Sequence, residues 1–521
     1  MKRAYEYKVY KRTIRREINY IPFRYILAIL ITLFEILAII GIVAILCYIV
    51  PYFYLLAYAT QIACVIKIIA SDDNPDYKVP WLLFVLILPI AGFMLYMMMY
   101  SRTLKKKFIK RLNDLDDRMY HKDDRALFER LNEENPVAHA QAKMLCKISY
   151  SHLFENTSQK YYPLGEEMYR DMLADLKNAR KFIFMEYFII EEGKFWSSIL
   201  EILKEKASEG VEVRIVYDDI GCMKTLPGNY FKMLRKMGIE ATPFSFLRGG
   251  ADSKFNNRSH RKITVIDGVI GYTGGINIAD EYINEIERFG HWKDGGIRIQ
   301  GEGVWELTRL FLTDYGINVK ALPKAKHDYF PQVRSESQEG YIIPFGDGPR
   351  PIYKREVAKN AIQNMLDSAT KYAYITTPYL IIDNELCQNL ENAALRGVDV
   401  KIILPHIPDK KLIFMMSRSF YPRLMDAGVE IYEYEKGFIH AKNYLTDDEY
   451  AIVGTINLDY RSLVHHFENG VWMYNTTTIV DIKNDFEATL KKSIKIEKKM
   501  LKINIFKRFF RAVVRVFAPL M

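Results

Sequence analysis

Two histidines sit in the same constellation, once in each half of the chain. His260-Arg-Lys262-Ile-Thr-Val-Ile-Asp267 is followed by Gly274-Gly-Ile-Asn277, and His440-Ala-Lys442-Asn-Tyr-Leu-Thr-Asp447 by Gly454-Thr-Ile-Asn457. Both read His-x-Lys-x4-Asp, with an Asn seventeen residues after the His. On a strand, residues i and i+2 share a face, so each His points with its Lys into one site. The Gly-Gly and Gly-Thr turns let backbone approach closely, and Asn277 and Asn457 each add a neutral donor. Two imidazoles facing two ammoniums suit a phosphodiester. Lysines and asparagines would hold the non-bridging oxygens as charge builds in the transition state. One imidazole attacks phosphorus and the other protonates the departing alkoxide. No step of this scheme calls for a metal or other cofactor, and none is expected.

The elements around the motifs repeat as well. Lys181–Ile190 reads as a buried strand, Phe195–Ser208 as a helix closed by Gly210, and Val211–Tyr217 as the next strand. Tyr372–Leu380, a helical stretch ending at Gly397, and Val398–Leu404 repeat that order. Gly210-Val-Glu-Val-Arg-Ile aligns with Gly397-Val-Asp-Val-Lys-Ile, and Gly238-Ile-Glu with Gly428-Val-Glu. A strand–helix–strand succession implies parallel pairs, and a duplication of this period makes two halves of one catalytic body.

That body does not fill the 521 residues. Between Arg24 and Lys67 the only formal charge is Glu35, and a second apolar run covers Val79–Ser101. Each is long enough to cross a hydrocarbon core of ~30 Å. Three membrane helices are expected at 24–47, 51–70 and 80–100, with breaks at Pro51 and at the acidic stretch Ser71-Asp-Asp-Asn-Pro-Asp-Tyr77. The apolar stretch is too long for a signal peptide, and no cleavage site opens onto polar chain. Residues 1–24 carry +6, 101–111 carry +6 and 491–521 carry +9, so the rest of a chain of net +10 holds −11. The basic charge lies beside the apolar spans and in the tail, where anionic lipids attract it. A nucleic-acid groove would want it across the folded body. In the tail, Phe506, Phe509, Phe510, Val513 and Phe517 share a helical face that Lys507, Arg508, Arg511 and Arg515 mostly avoid, an interfacial amphipathic pattern. The expected order is therefore a membrane anchor 1–110, a linker 111–150, catalytic halves 151–330 and 331–490, and a basic tail 491–521. Basic flanks on both sides of three spans conflict over which should be cytoplasmic; the six basic residues after residue 100 favour a cytoplasmic catalytic part. Five scattered cysteines without a Cys-x-x-Cys pair indicate neither disulfides nor zinc. His465-His466 is read as structural, with no acid or thiol at ligand spacing.

The paired motifs resemble those of the phospholipase D superfamily, and within it the bacterial cardiolipin synthases with two such motifs. Asn74-Pro75, Trp81-Leu-Leu and Pro89-Ile-Ala-Gly-Phe-Met-Leu-Tyr96 are similar to that family's membrane hairpin. Asn257-Arg258, Gly274–Tyr282, Thr377-Pro-Tyr379, Pro408-Asp409, Ser417-Arg-Ser419, Tyr432-Glu-Tyr434 and Gly437–His440 are similar to its catalytic halves. Departures are Gly295-Gly296, Ile382 and His406. The resemblance implies a duplicated α/β phospholipase D-like fold, two mixed and mostly parallel sheets flanked by helices. It also implies a phosphatidyl group passed from one phosphatidylglycerol to another, giving cardiolipin and glycerol, with His260 as nucleophile and His440 as acid and base, or the reverse. Lys262 and Lys442 would bind phosphate, and Asp267 and Asp447 would brace the motifs. Asp294 and Glu468 take the places of the carboxylates that family members supply, one for each catalytic His, later in the chain. Expected partners are phosphatidylglycerol and other anionic membrane lipids, not nucleic acid; the sequence sets no oligomeric state. The rivals are a membrane-bound hydrolase releasing phosphatidic acid, a nuclease, which the charge distribution disfavours, and an inactive scaffold, which the intact motifs disfavour. No Gly-x4-Gly-Lys-Ser/Thr loop is present, in keeping with an exchange of phosphodiesters that needs no nucleotide.

Overall fold

The computed structural model describes residues 23–50, 52–88, 90–97, 123–245, 257–319, 329–331, 339–350 and 352–520. The basic segment 101–111, Pro51, Pro89 and all but the last two residues of 1–24 lie outside them. Helix α1 (Phe23–Ile49) has 27 residues and keeps Phe34, Leu37, Ile42 and Ile45 exposed, as a lipid-facing helix does. Helix α2 (Phe53–Ile69) and helix α3 (Pro75–Ile87) pack on each other through Cys64, Ile68, Trp81 and Val85, and Gln61 donates to the carbonyls of Val85 and Leu86 at 3.0 and 2.9 Å.

The expected third span is corrected. Helix α3 has 13 residues, about 20 Å at 1.5 Å per residue, and stops short of a bilayer core. Ile90 turns the chain with φ 55°, and α4 (Ala91–Leu95) runs back along α3. Gly92 lies against the backbone of Phe84 and Val85, where a side chain would clash, and Tyr96 meets Trp81 edge-on at 5.6 Å. Hydropathy reads 80–100 as continuous; over the described residues 80–88 and 90–97 the backbone instead folds α4 back on α3. Among the described residues, only α1 holds a stretch long and apolar enough to span alone, Ile29–Ile49.

The acidic loop before α3 fastens this assembly to the second half. Asn74 caps α3 by accepting the Asp76 N–H and donates to Asp383 at 2.7 Å. Asp76 accepts from the Asn384 N–H and the Tyr460 hydroxyl, and Tyr77 packs edge-on against Tyr460 at 5.2 Å. The stretch expected as a linker is, from Arg125 on, a second correction. Helices α5 (Arg125–Glu134) and α6 (Pro136–Ser149) bury Leu127, Leu131, Ala138, Ala142 and Leu145 in one core with Ile343, Ile362 and Ile375.

The catalytic body holds two large sheets. The first contains β1 (Thr157–Tyr162), β2 (Phe182–Tyr187), β3 (Glu212–Asp218), β4 (Glu240–Phe244), β5 (Lys262–Ile266), β6 (Ile270–Gly274) and β8 (Gly296–Gly301), in the order β1-β8-β6-β5-β2-β3-β4. The second contains β9 (Tyr341–Asp347), β10 (Tyr372–Thr376), β12 (Asp399–Pro405), β13 (Glu430–Tyr434), β15 (Asn443–Thr446), β16 (Tyr450–Gly454), β18 (Glu468–Tyr474) and β19 (Ser493–Lys495). Its order, β9-β18-β16-β15-β10-β12-β13-β19, repeats the first and adds one edge strand. The duplication is thus structural. Both sheets are mixed, but antiparallel neighbours outnumber parallel ones, which corrects the expectation of mostly parallel sheets. The pairs β2/β3, β3/β4, β10/β12 and β12/β13 are parallel, and every other neighbour in the two sheets is antiparallel. The reason is local: each motif strand turns within three residues into the next (β5 into β6, β15 into β16), and so short a connection forces antiparallel pairing. The tail also begins later than expected, because Ser493–Lys495 still belong to the second sheet. Beyond it, α16 (Ile505–Val516, the last of the helices) leaves Phe506, Phe509 and Phe510 exposed, while Arg515 stacks on Phe420 at 4.3 Å and Phe517 meets Phe84 at 5.8 Å.

Candidate active site

Each motif histidine stands just before a motif strand and is held by backbone from the opposite half. The His260 N–H donates to the Phe467 carbonyl at 2.8 Å, and the His440 N–H to the Lys293 carbonyl at 2.7 Å. Strand β14 (Gly437–Ile439) pairs in parallel with β7 (His291–Lys293), so the two halves are stitched together at the histidines.

The carboxylates follow the same crossing. His260 Nδ1 lies 2.9 Å from Glu468, and His440 Nδ1 lies 2.7 Å from Asp294. The expected pairing of each histidine with the carboxylate that follows its own motif, His260 with Asp294 and His440 with Glu468, is corrected: the partners are exchanged, and each histidine takes its carboxylate from the other half. With Nδ1 so engaged, Nε2 is the nitrogen left for chemistry in each ring. Both imidazoles are buried, which disfavours their charged forms: His260 is pushed down to about 3 and His440 to about 4, with the neighbouring lysines adding to the effect. Burial would raise Glu468 and Asp294, but the imidazoles beside them outweigh it and hold both below the ordinary carboxylate range. A neutral imidazole bonded to an ionised carboxylate results on each side.

Lys262 and Lys442 are buried and fold back to donate to the carbonyl of their own histidine, Lys262 at 2.7 Å. Desolvation lowers Lys262 to about 7 and Lys442 to about 8, and Lys442 depresses Lys262 further. Among the described residues, neither ammonium is in hydrogen-bond contact with a carboxylate.

The other motif residues serve the frame. Asp267 and Asp447 sit at the far ends of their strands in left-handed backbone, φ 54° and 57°. Asp267 accepts from the N–H groups of Arg180, Lys181 and Phe182, and Asp447 from those of Thr370, Lys371 and Tyr372. Each thereby pins the start of the antiparallel neighbour of its motif strand, β2 and β10 respectively. Asn277 bridges the Ile189 N–H and the Tyr282 hydroxyl, and Asn457 donates to Asp459 at 3.2 Å. These contacts tie the loops that follow β6 and β16.

Sequence reasoning missed the supports beside His260. Arg258 pairs with Asp218 at 2.8 Å, Ser259 with Glu186 at 2.5 Å and Arg261 with Asp314 at 2.6 Å, all buried. It also missed the rings: Phe188 lies edge-on to His260 at 5.1 Å, while Tyr282 and Trp292 each stand 5.5 Å from His440.

Comparison with known proteins agrees with this geometry. A family model described as "Cardiolipin synthase, PLD-like domain" matches residues 172–287 and 362–490, one stretch in each half. A second, "Phospholipase_D-nuclease N-terminal", matches residues 60–98, the α2–α4 hairpin. The "Cardiolipin synthase 2" of Bacillus anthracis is 33% identical over 468 residues, covering 89% of this chain and 90% of the relative. The chain belongs to the bacterial cardiolipin synthase family of the phospholipase D superfamily. A Streptococcus mutans protein is 42% identical over 469 residues, 88% of this chain and all of that one. For this cardiolipin synthase family member, the phosphatidylserine synthase structure from Haemophilus influenzae, at 14% identity, is a match in fold. Its TM-score is 0.56, over 73% of this chain and 97% of that one. Family membership and the apolar α1 make the chain a membrane protein with phospholipid substrates.

Proposed function

We propose that this chain transfers a phosphatidyl group from one phosphatidylglycerol to the headgroup hydroxyl of another, yielding cardiolipin and glycerol. The observation that carries the reading is the crossed pair of imidazole–carboxylate contacts above two buried lysines. The Nε2 lone pair of His260 attacks phosphorus, and the bond from phosphorus to the glycerol headgroup breaks. Lys262 and Lys442 balance the charge of the phosphoryl oxygens. Glu468 stabilises the positive charge that His260 acquires, as a hydrogen-bonded carboxylate does for an imidazolium. His440 is neutral before substrate arrives; the phosphodiester anion beside it favours its protonated form, and that proton goes to the departing alkoxide. In the second step His440 takes the proton of the incoming hydroxyl, whose oxygen attacks phosphorus and releases His260.

The re-entrant hairpin supports a cytoplasmic catalytic body. With α1 and α2 crossing, the acidic loop at the end of α2 lies on the same side as the N-terminus, and that loop is bonded to the second half. Since α4 turns back, the chain leaves Met97 toward that side too, and both basic flanks obey the positive-inside rule. The exposed aromatic face of α16 then meets the same leaflet. A cysteine at Tyr52 should react with an impermeant maleimide from outside the cell, and one at Asp72 only after permeabilisation; the opposite pattern would overturn this topology.

The functional test uses detergent-purified protein with labelled phosphatidylglycerol as sole lipid, in EDTA. Wild type should give cardiolipin and glycerol, and His260→Ala neither. Phosphatidic acid in place of cardiolipin would make water the acceptor and the protein a hydrolase.

A further inference from the structure

His466 has no place in that mechanism, yet it stands in the same pocket of charge. It is 8% exposed, its ring lies 5.6 Å from that of His260, and its Nδ1 is 3.7 Å from Glu468 Oε1. Among the described residues, neither ring nitrogen of His466 has a hydrogen-bond partner, and neither does Glu468 Oε1. Two buried groups, His466 and Glu468, thus leave polar atoms without a partner beside the ring of His260. One ligand atom from each of His260, His466 and Glu468 lies within 4.8 Å of the others. A tetrahedral ion with bonds of about 2.0–2.1 Å needs ligand atoms roughly 3.3 Å apart, so small ring rotations would close the set.

We propose that His260, His466 and Glu468 form a binding site for a zinc-type dication, and that its occupation switches the transfer reaction off. Two imidazoles and a carboxylate are the ligands such an ion prefers, whereas magnesium and calcium take oxygen alone. A fourth position remains for water. The inhibition follows from one proton. Neutral His260 carries its proton on Nδ1, facing Glu468. When the metal takes Nδ1, the ring keeps that proton on Nε2, and Nε2 has no lone pair with which to attack phosphorus. No redox step or additional reactant is involved. The second half offers no equivalent: the residue two before Asp294 is Trp292, so one ion per chain is the expected stoichiometry.

The inhibition rests on the role proposed for His260; the binding does not. Full-length protein in detergent, freed of metal with EDTA and desalted, is titrated with Co2+ for its visible spectrum and with Zn2+ against a chromophoric chelator. Wild type should bind one equivalent with the absorption of a four-coordinate nitrogen–oxygen site. His466→Asn and His466→Gln should bind at least about tenfold more weakly. Their half-inhibiting Zn2+ concentration, each measured against the variant's own metal-free rate, should rise by at least about the same factor. Unchanged affinity in both variants, or no four-coordinate Co2+ spectrum in wild type, would overturn the site. Zinc binding without any cardiolipin formation in EDTA would leave the site standing and sink the functional reading. Cardiolipin formation indifferent to bound zinc would leave the site and the functional reading standing and overturn the switch.

Discussion

The two halves share a strand order and a motif but surround their histidines differently. Around His260, the carboxylate is Glu468, steadied by the Thr455 hydroxyl, and the neighbouring rings are Phe188 and His466. Around His440, the carboxylate is the shorter Asp294, which accepts the Gly295 N–H at 2.8 Å, and the rings are Tyr282, Trp292 and Phe438. Gly275 and Thr455 occupy equivalent turn positions, and the exchange matches the carboxylates: a side chain at 275 would run into Asp294, whereas at 455 it supplies the hydroxyl that holds Glu468. Both halves set a histidine Nδ1 against a carboxylate of the other half and differ in the side chains packed around that pair. The different roles proposed for the two halves would then follow from what flanks the imidazoles rather than from the motifs.

The sharpest way to break the comparison is to remove one histidine at a time. His260→Ala and His440→Ala should each lower cardiolipin formation by about 10^4-fold or more. They should part company on a phosphatidyl ester of p-nitrophenol, whose leaving group needs no proton. His440→Ala should release a burst of p-nitrophenol and retain labelled lipid on the protein, and His260→Ala should do neither. The reversed result would exchange nucleophile and acid.

Next come the carboxylates. Glu468→Gln and Asp294→Asn should reduce kcat by roughly 10^2–10^4-fold with little change in KM, since each orients a ring and stabilises its charged form. Equal losses would mean that both imidazoles carry charge in rate-limiting steps, and a loss confined to one would localise that step.

The lysines predict an alkaline limit. Their conjugate acids are depressed to about 7 and about 8, so ammonium charge is present below those values and lost as pH rises through them. kcat/KM should fall above that window by about tenfold per unit for each group lost. In Lys262→Arg, where the cation persists, the remaining activity should lack the lower of the two steps, as read from its pH profile. A small effect is expected from the turns: Gly275→Ala should cost about 1–3 kcal/mol in denaturant unfolding, and Thr455→Val about 1 kcal/mol.

The motifs, the duplication and the neighbouring strands were legible in the sequence because they rest on spacing within a few residues. The crossing was not, because Glu468 and Asp294 meet their histidines across 208 and 146 residues, and only the docking of the halves selects those pairs. The stretch 80–100 misled because hydropathy records composition, while the turn depends on one backbone angle at Ile90 and the missing side chain of Gly92. Leu127 and Leu131 were hidden in a charged segment whose helical stripe is only two turns long. His466 carried a signal that went unused. It lies two residues before Glu468, the same i, i+2 relation that placed His260 beside Lys262.

The crossed carboxylates also set a clock on synthesis. Glu468 leaves the ribosome 208 residues after His260, about 10–40 s later at ordinary bacterial elongation rates. Throughout that interval the first half sits at the membrane, among its own substrates, with an imidazole that lacks the group which orients it. On the mechanism proposed above, a chain cut or stalled before the second half docks lacks both His440 and the carboxylate of His260, and it should not transfer a phosphatidyl group to the lipids around it.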